Sequence, residues 1–279
     1  MRRWLKLLLI LIPLAALAWL ALWLFPLSHP RGDTTLTLLS WNVHGLQRDG
    51  GGSIEDLVIL GVEGAGADIL AFQEFPVART GERVRRRLRA LGYSHEALFV
   101  YDHSRTESSS QGMAVYSRFP IVSRAEVPLA PVMEGRLLGT VELEVEGRAL
   151  RLGVVHFPNS DIHMVGKRAS LAGELTGENE RTVQARALLG VLRPWRDGAL
   201  VLAGDFNTFP LSSAWRLLRG EYHDAFPVTR WHDGTFQIRP GLEVKIDHIF
   251  HTARVRGLEA RVLPLAGSDH RPVFARLQF

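Results

Sequence analysis

Residues 201–208 read Val201-Leu202-Ala203-Gly204-Asp205-Phe206-Asn207-Thr208. A short apolar run of this kind predicts a buried strand. Gly204 is expected to let the backbone turn at the strand end. Asp205 and Asn207 stand two apart, so near a strand end their side chains can reach the same side. One brings a negative charge, the other a neutral donor and acceptor. That pair suits a phosphate and the water that attacks it, provided other strand ends deliver matching groups.

Several do. Thr34–Trp41 (TTLTLLSW) reads as a strand ending on Asn42, and Ala67–Phe72 (ADILAF) as one running into Gln73-Glu74 and closed by Pro76. Arg151–Val155 ends on His156, and Val244–Phe250 (VKIDHIF) carries Asp247 in its middle. Asp269-His270 precedes the last strand, Val273–Leu277. A single Asn or Asp at a strand end is usually a turn former, but six such places in one chain exceed punctuation. A buried carboxylate such as Asp247 needs a partner, either a histidine or a metal. Oxygen ligands suit Mg²⁺ or Mn²⁺ with room left for water and phosphate, and Glu74 is the best candidate ligand. A histidine paired with a carboxylate can act as acid or base near neutral pH. No GxSxG elbow, Walker loop or HExxH is present, so hydrolysis by a metal-positioned water is the economical reading.

The 279-residue chain has 46% hydrophobic and 22% charged residues, as ordinary globular proteins do. Its net charge of +4 is carried almost wholly by arginine, since lysine occurs only as Lys6, Lys167 and Lys245. That excess is either compositional bias or attraction to phosphate-bearing partners. The absence of cysteine excludes disulfides, thiolate metal sites and a cysteine nucleophile.

At the N-terminus, Arg2, Arg3 and Lys6 precede the uncharged run Leu7–Leu27. As a helix this run spans about 31 Å, close to a bilayer core. A cleaved signal peptide is the rival, but cleavage after Ala18 would leave the apolar stretch Trp19–Phe25 exposed. Residues 1–32 are therefore expected to form a single-pass membrane anchor and linker. The positive flank places residues 33–279 on the non-cytoplasmic face.

Helices are expected at Ile54–Gly61, Thr80–Leu91, Val183–Leu192 and Ser212–Leu218. The second surrounds Val84, Leu88 and Leu91 with five arginines, as a solvated face or a phosphate-tracking patch. Asp102–Gln111 reads as a polar loop. Asn159–Thr182 is long for a connection and reads as a lid or a partly helical excursion.

Taken together, Trp41-Asn42, Gln73-Glu74, Gly204-Asp205-Phe206-Asn207, Ile246-Asp247-His248-Ile249 and Ser268-Asp269-His270-Arg271-Pro272-Val273 resemble the endonuclease/exonuclease/phosphatase superfamily in order and spacing. That superfamily includes deoxyribonuclease I, abasic-site endonucleases, neutral sphingomyelinases and inositol polyphosphate 5-phosphatases. Gly112–Ile121 and Arg181-Thr182-Val183-Gln184 resemble its linking segments. The resemblance implies an α/β four-layer sandwich: two mixed β-sheets face to face, helices outside, and the site at one end. It implies that Glu74 binds a divalent metal, Asn42 helps hold metal or phosphate, and Asp269 is a second metal-side carboxylate. Asp205 would orient or deprotonate the water and Asn207 steady the phosphate. His270 would contact a non-bridging oxygen or act as acid/base, with Asp247 fixing and charging it, and His156 would serve the leaving group. His44 stands where the abasic-site branch has an aspartate ligand. Gln111 lies near the position of a glutamate that supports the deoxyribonuclease I histidine, so His156 is expected to be held less strongly as a cation. His44, His103, His163, His223, His232, His248 and His251 lack motif support and are expected to be structural or surface residues.

The expected activity is that of a membrane-anchored, Mg²⁺- or Mn²⁺-dependent phosphodiesterase. Nucleic acid is the first substrate class. A phospholipid, as for sphingomyelinases, or a phosphorylated small molecule is the alternative. A catalytically silent binding domain is a remote third reading, because every expected ligand and the His–Asp pair are present. No sequence feature indicates an oligomer.

Overall fold

The computed structural model describes all residues except 1, 25–26, 29, 31, 49–50, 78–80, 102–110, 130–136, 160–170, 240 and 266, and only the backbone of 2–10, 171–172 and 239. In chain order, the strands are β1 (Thr35–Asn42), β2 (Ile69–Pro76), β3 (His95–Val100), β4 (Gln111–Ser117), β5 (Ile121–Pro128), β6 (Leu137–Val145) and β7 (Arg148–His156). They continue as β8 (Leu200–Asp205), β9 (His223–Asp224), β10 (Phe236–Arg239), β11 (Leu242–Val244), β12 (Asp247–His251), β13 (Arg256–Val262) and β14 (Val273–Gln278). The helices are α1 (Arg2–Leu24), α2 (Glu55–Ala65), α3 (Glu82–Ala90), α4 (Leu171–Thr176), α5 (Glu180–Leu192) and α6 (Ser213–Glu221).

Twelve strands form two six-stranded sheets, ordered β13-β14-β1-β2-β4-β3 and β5-β6-β7-β8-β12-β9, and β10-β11 is a separate hairpin. Each sheet holds one parallel pair, β1 with β2 and β7 with β8, amid antiparallel neighbours. A parallel pair needs a crossover, which α2 makes in one sheet and α4 and α5 make in the other.

The alternation of side chains along each strand separates three apolar layers. Leu36, Leu38 and Ala71 from one sheet meet Leu152, Val154, Val201 and Ala203 from the other in the central core. The opposite faces of the same strands, at Leu39, Trp41, Leu70 and Phe72, pack on Val58 and Val62 of α2 and Val84 and Leu88 of α3. Val155, Leu200 and Leu202 pack outward on Leu188 and Leu192 of α5 and Trp215 and Leu218 of α6. The result is the expected four-layer sandwich.

Three local expectations change. Gly204 lies inside β8 and does not make the turn: a Cβ there would sit 2.0 Å from the Val155 carbonyl oxygen, so glycine permits the close approach of β7. Asp247 opens β12 and is not mid-strand, because the chain breaks between β11 and β12. Four of the five arginines of α3 are tied down, Arg83 and Arg87 by Asp56 and Arg85 and Arg89 by Glu96. A phosphate-tracking helix loses most of its available charge that way.

The N-terminal helix forms over Arg2–Leu24, but among the described residues no helix is long and apolar enough to cross a membrane. Its last turn docks on the domain: the Trp23 ring lies edge-on to Trp215 at 6.2 Å and to Trp231 at 6.0 Å. Residues 102–110 of the expected loop Asp102–Gln111 and much of Asn159–Thr182 lie outside the described residues, and Gln111 itself opens β4. The later part of Asn159–Thr182 carries α4 and the start of α5, capped by Asn179 and Thr182 in a reciprocal box.

Candidate active site

Both parallel pairs deliver their C-terminal ends to one edge of the sandwich. Asn42 ends β1 beside Gln73 of β2, and His156 ends β7 beside Asp205 of β8. Asp247 opens β12 directly opposite Asp205. The loop before β14 then brings Asp269 and His270 to the same edge. It is pinned by the Trp41 indole donating to the His270 carbonyl at 3.0 Å and by the Ser268 hydroxyl donating to the Asn42 carbonyl at 2.7 Å.

Glu74 sits in a bulge of β2, where the register with β4 shifts between Phe72 and Phe75. Its φ of 52° is unfavourable for a non-glycine residue. The bulge re-aims the side chain toward Asn42, whose Nδ2 donates to Glu74 Oε1 at 2.9 Å and to Asp205 Oδ2 at 3.2 Å. Asn42 Oδ1 accepts the His44 N–H at 3.1 Å. Asn42 therefore uses its amide to link two carboxylates across the sheet interface.

Asp205 is the centre of the cluster. Its Oδ2 lies 3.5 Å from His156 Nε2 and 3.7 Å from His270 Nε2, while Oδ1 accepts the Asn207 N–H at 2.9 Å. Asn207 adopts φ 47° and donates its side-chain amide to the Phe157 carbonyl at 2.9 Å, so the turn follows the strand at Asn207 and not at Gly204. Burial pushes the Asp205 carboxyl up to about 7, against the opposing charge of His270; Asp247 adds to the rise. His270 Nδ1 stands 2.9 Å from Asp247 Oδ2. Burial works to lower the His270 pKa, but the Asp247 and Asp205 carboxylates outweigh it and lift it to about 10. His270 is thus an imidazolium near neutral pH, and Asp205 is poised to exchange a proton there.

Two residues escaped the sequence reading. The Tyr101 hydroxyl is 2.9 Å from His156 Nδ1 and accepts the Glu74 N–H at 3.3 Å. It fills the supporting position considered for Gln111, and as a neutral phenol it brings no charge to His156. His44 is the other: its Nδ1 lies 3.4 Å from Asp269 Oδ1 and 3.9 Å from Glu74 Oε2. Tyr101 lies at a strand end with no motif around it. The only hint for His44 was the aspartate that one branch of the superfamily carries there.

The donor chemistry divides the site. Asp205, Asp247 and His270 have ligand atoms within 4.8 Å of one another. His270 Nδ1 is already engaged by Asp247 at 2.9 Å, which suits these three to handling protons. Glu74 and Asp269 are different. Their side chains keep 25% and 23% exposure and converge on one point beside His44. Two partly solvated carboxylates with space for water fit a hard divalent cation.

A family-wide sequence comparison matches residues 39–270 to the endonuclease/exonuclease/phosphatase family. The chain belongs to that family. No curated protein matches the sequence. Solved structures with the same fold include the human Nocturnin catalytic domain with bound sulfate, at 18% identity and TM-score 0.66, covering 89% of this chain and 96% of that one. The Bacteroides thetaiotaomicron VPI-5482 mannosyl-6-phosphatase is 17% identical with TM-score 0.66 and coverage of 88% and 100%. TDP2 of D. rerio, complexed with a single-strand DNA product, is 16% identical with TM-score 0.65 and coverage of 88% and 100%. In this family member the matched region runs from β1 to the His270 loop, so all eight expected site residues fall inside it.

Proposed function

We propose that this chain is a Mg²⁺- or Mn²⁺-dependent phosphodiesterase that hydrolyses its substrate with an activated water. The observation that carries the reading is the single carboxylate oxygen of Asp205, which stands within 3.2–3.7 Å of Asn42, His156 and His270. One oxygen facing an amide and two imidazoles is placed to take a proton from water while the neighbouring charges bind an anion.

In the proposed reaction, water oxygen bonds to phosphorus and its proton passes to Asp205. The phosphorus–oxygen bond to the leaving group breaks, and His156 lies where it can return a proton to that oxygen. The imidazolium of His270 donates to a non-bridging oxygen, and Asp247 holds it charged. Asn207, fixed by Phe157, steadies the phosphate. Glu74 and Asp269 would hold the metal, which supplies Lewis-acid charge against the phosphate oxygens.

Nucleic acid remains the first substrate class. A cavity of about 630 Å³ beside Asp269 is lined by Arg48, Phe236, Gln237, Glu243 and Arg271. The half-buried Phe236 ring packs 4.9 Å from the His270 ring, and an aromatic face next to the reacting centre suits a stacked base. The same volume suits a phosphorylated sugar, the substrate class in the name of one structural neighbour. Residues 1–32 are proposed to hold the domain at the non-cytoplasmic membrane face.

The test is a parallel assay of the purified full chain on bis-p-nitrophenyl phosphate, plasmid DNA, sphingomyelin, phosphoinositides and mannose 6-phosphate. Turnover with Mg²⁺ or Mn²⁺ that stops in EDTA is expected, with DNA cleaved. Metal-independent turnover would sink the mechanism, and cleavage of lipid or sugar phosphate alone would overturn the substrate order.

A further inference from the structure

A second cavity, of about 490 Å³, opens where α1 meets the domain. It shares no residue with the candidate active site. His251, which lines it, is four residues along β12 from Asp247, or about 13 Å away. Leu24 and Ser28, at and just beyond the end of α1, form part of its wall.

Its charge is unbalanced. Three guanidinium groups line it, from Arg219, Arg230 and Arg256. Arg219 is only 7% exposed, its Nε has no hydrogen-bond partner, and a terminal nitrogen donates to the Trp23 carbonyl at 2.9 Å. Neither Arg219 nor Arg256 has a carboxylate in salt-bridge contact among the described residues. Arg230 Nε lies 3.7 Å from Asp233. The two acids in the wall are engaged elsewhere: Asp224 lies 3.8 Å from Lys245 and 3.3 Å from His248, and Glu259 accepts from Arg261 at 3.0 Å. A buried guanidinium lacking a counter-ion is costly, and its fork of donors matches the oxygens of a phosphate group.

We propose that this cavity is a phosphate-binding site, separate from the hydrolytic one, that takes a phosphomonoester or phosphodiester anion on Arg219, Arg230 and Arg256. The anion is either free phosphate or the headgroup of an anionic phospholipid beside α1. The lipid source rests on the membrane-anchor reading, whereas the anion site itself does not.

The test uses the full chain in zwitterionic detergent with EDTA, titrated calorimetrically with inorganic phosphate. Arg256→Ala and Arg219→Met should each weaken one class of phosphate binding by about tenfold or more. Turnover of bis-p-nitrophenyl phosphate with Mg²⁺ should stay unchanged. In a second arm the chain is bound to nanodiscs of phosphatidylcholine with or without phosphatidylglycerol. A preference for phosphatidylglycerol that Arg256→Ala abolishes identifies the headgroup as the source; phosphate binding without that preference identifies the free anion. Arg256 is exposed, so its variant keeps the test decisive if Arg219→Met fails to fold. Phosphate and lipid binding that are both unaffected in folded Arg256→Ala overturn the proposal. Binding is read without turnover, so a failure of the hydrolytic reading is a separate result.

Discussion

Replacing Asp247 with asparagine removes a charge while keeping the side-chain shape. Asp247 Oδ2 lies 2.9 Å from His270 Nδ1, and the Thr235 hydroxyl accepts the Asp247 N–H at 3.1 Å, so the backbone position is held independently. In the intact protein His270 is lifted from 6.5 to about 10, a preference for the imidazolium of roughly 5 kcal/mol net of burial. Without Asp247 only Asp205 and Asp269 still oppose the burial penalty, and the pKa should fall toward its ordinary value. At pH 8 a full return to 6.5 would leave about one ring in thirty protonated. Loss of ring orientation adds to this, for a total fall in kcat/KM of about 10²–10⁴. The assay is a pH–rate profile on bis-p-nitrophenyl phosphate at saturating Mg²⁺, with a parallel ¹⁵N titration of the histidines. Wild type should lose activity only as the pH rises through about 10, because His270 is needed charged; in Asp247→Asn the same limb should move toward neutrality. An alkaline limb that stays near 10 in the variant would refute the claim that Asp247 charges His270.

Asp205 must be deprotonated to act as base, so wild-type kcat/KM should rise through the Asp205 value near 7; Asp205→Asn should abolish that limb and cut the rate about 10²-fold or more. Glu74→Gln and Asp269→Asn should each raise the Mg²⁺ concentration needed for half-maximal rate while leaving the fold intact by circular dichroism; unchanged metal dependence in both would move the metal away from these carboxylates. Tyr101→Phe removes the hydroxyl at His156 Nδ1, and should lower kcat with little change in KM if that contact orients His156 for the leaving group. Lys245→Met leaves Asp224 buried without its cation and should cost about 3–5 kcal/mol in urea denaturation; the Asp224 carboxyl is held at about 2, burial being overcome by Lys245 and His248.

The candidate site was legible in the sequence because it is written locally. Each of Asn42, Glu74, His156, Asp205 and His270 closes or adjoins an apolar strand, and the strand direction alone puts its polar tip at an edge. What was not legible depends on register and on contacts between distant segments. Tyr101 meets His156 across 55 positions, and nothing in either local sequence announces it. His44 reaches Asp269 only after the β14 loop folds back on β1. Gly204 looked like a turn because glycine is permissive; it stays within the strand at φ 153°, and the Val155 carbonyl on the adjacent strand leaves no room for a Cβ. The α3 arginines left a solvated face and a phosphate-tracking patch both open because their partners, Asp56 and Glu96, lie on other elements.

The site is built across the interface between the sheets, and that follows from where the parallel pairs fall. The first sheet supplies Asn42 and Glu74 and, through the loop before β14, Asp269 and His270. The second supplies His156, Asp205 and Asp247. The carboxylates proposed to hold the metal therefore belong to one sheet, and the proposed base with its leaving-group histidine to the other. Two groups cross the divide: His270, carried by the first sheet, is charged by Asp247 of the second, and Asn42 of the first hydrogen-bonds Asp205 of the second. The spacing between these two sets is then set by the central core, to which β2 contributes Ala71 and β8 contributes Ala203. Buried Ala71 and Ala203 add little bulk to that layer, and the strands that carry Glu74 and Asp205 approach closely across it.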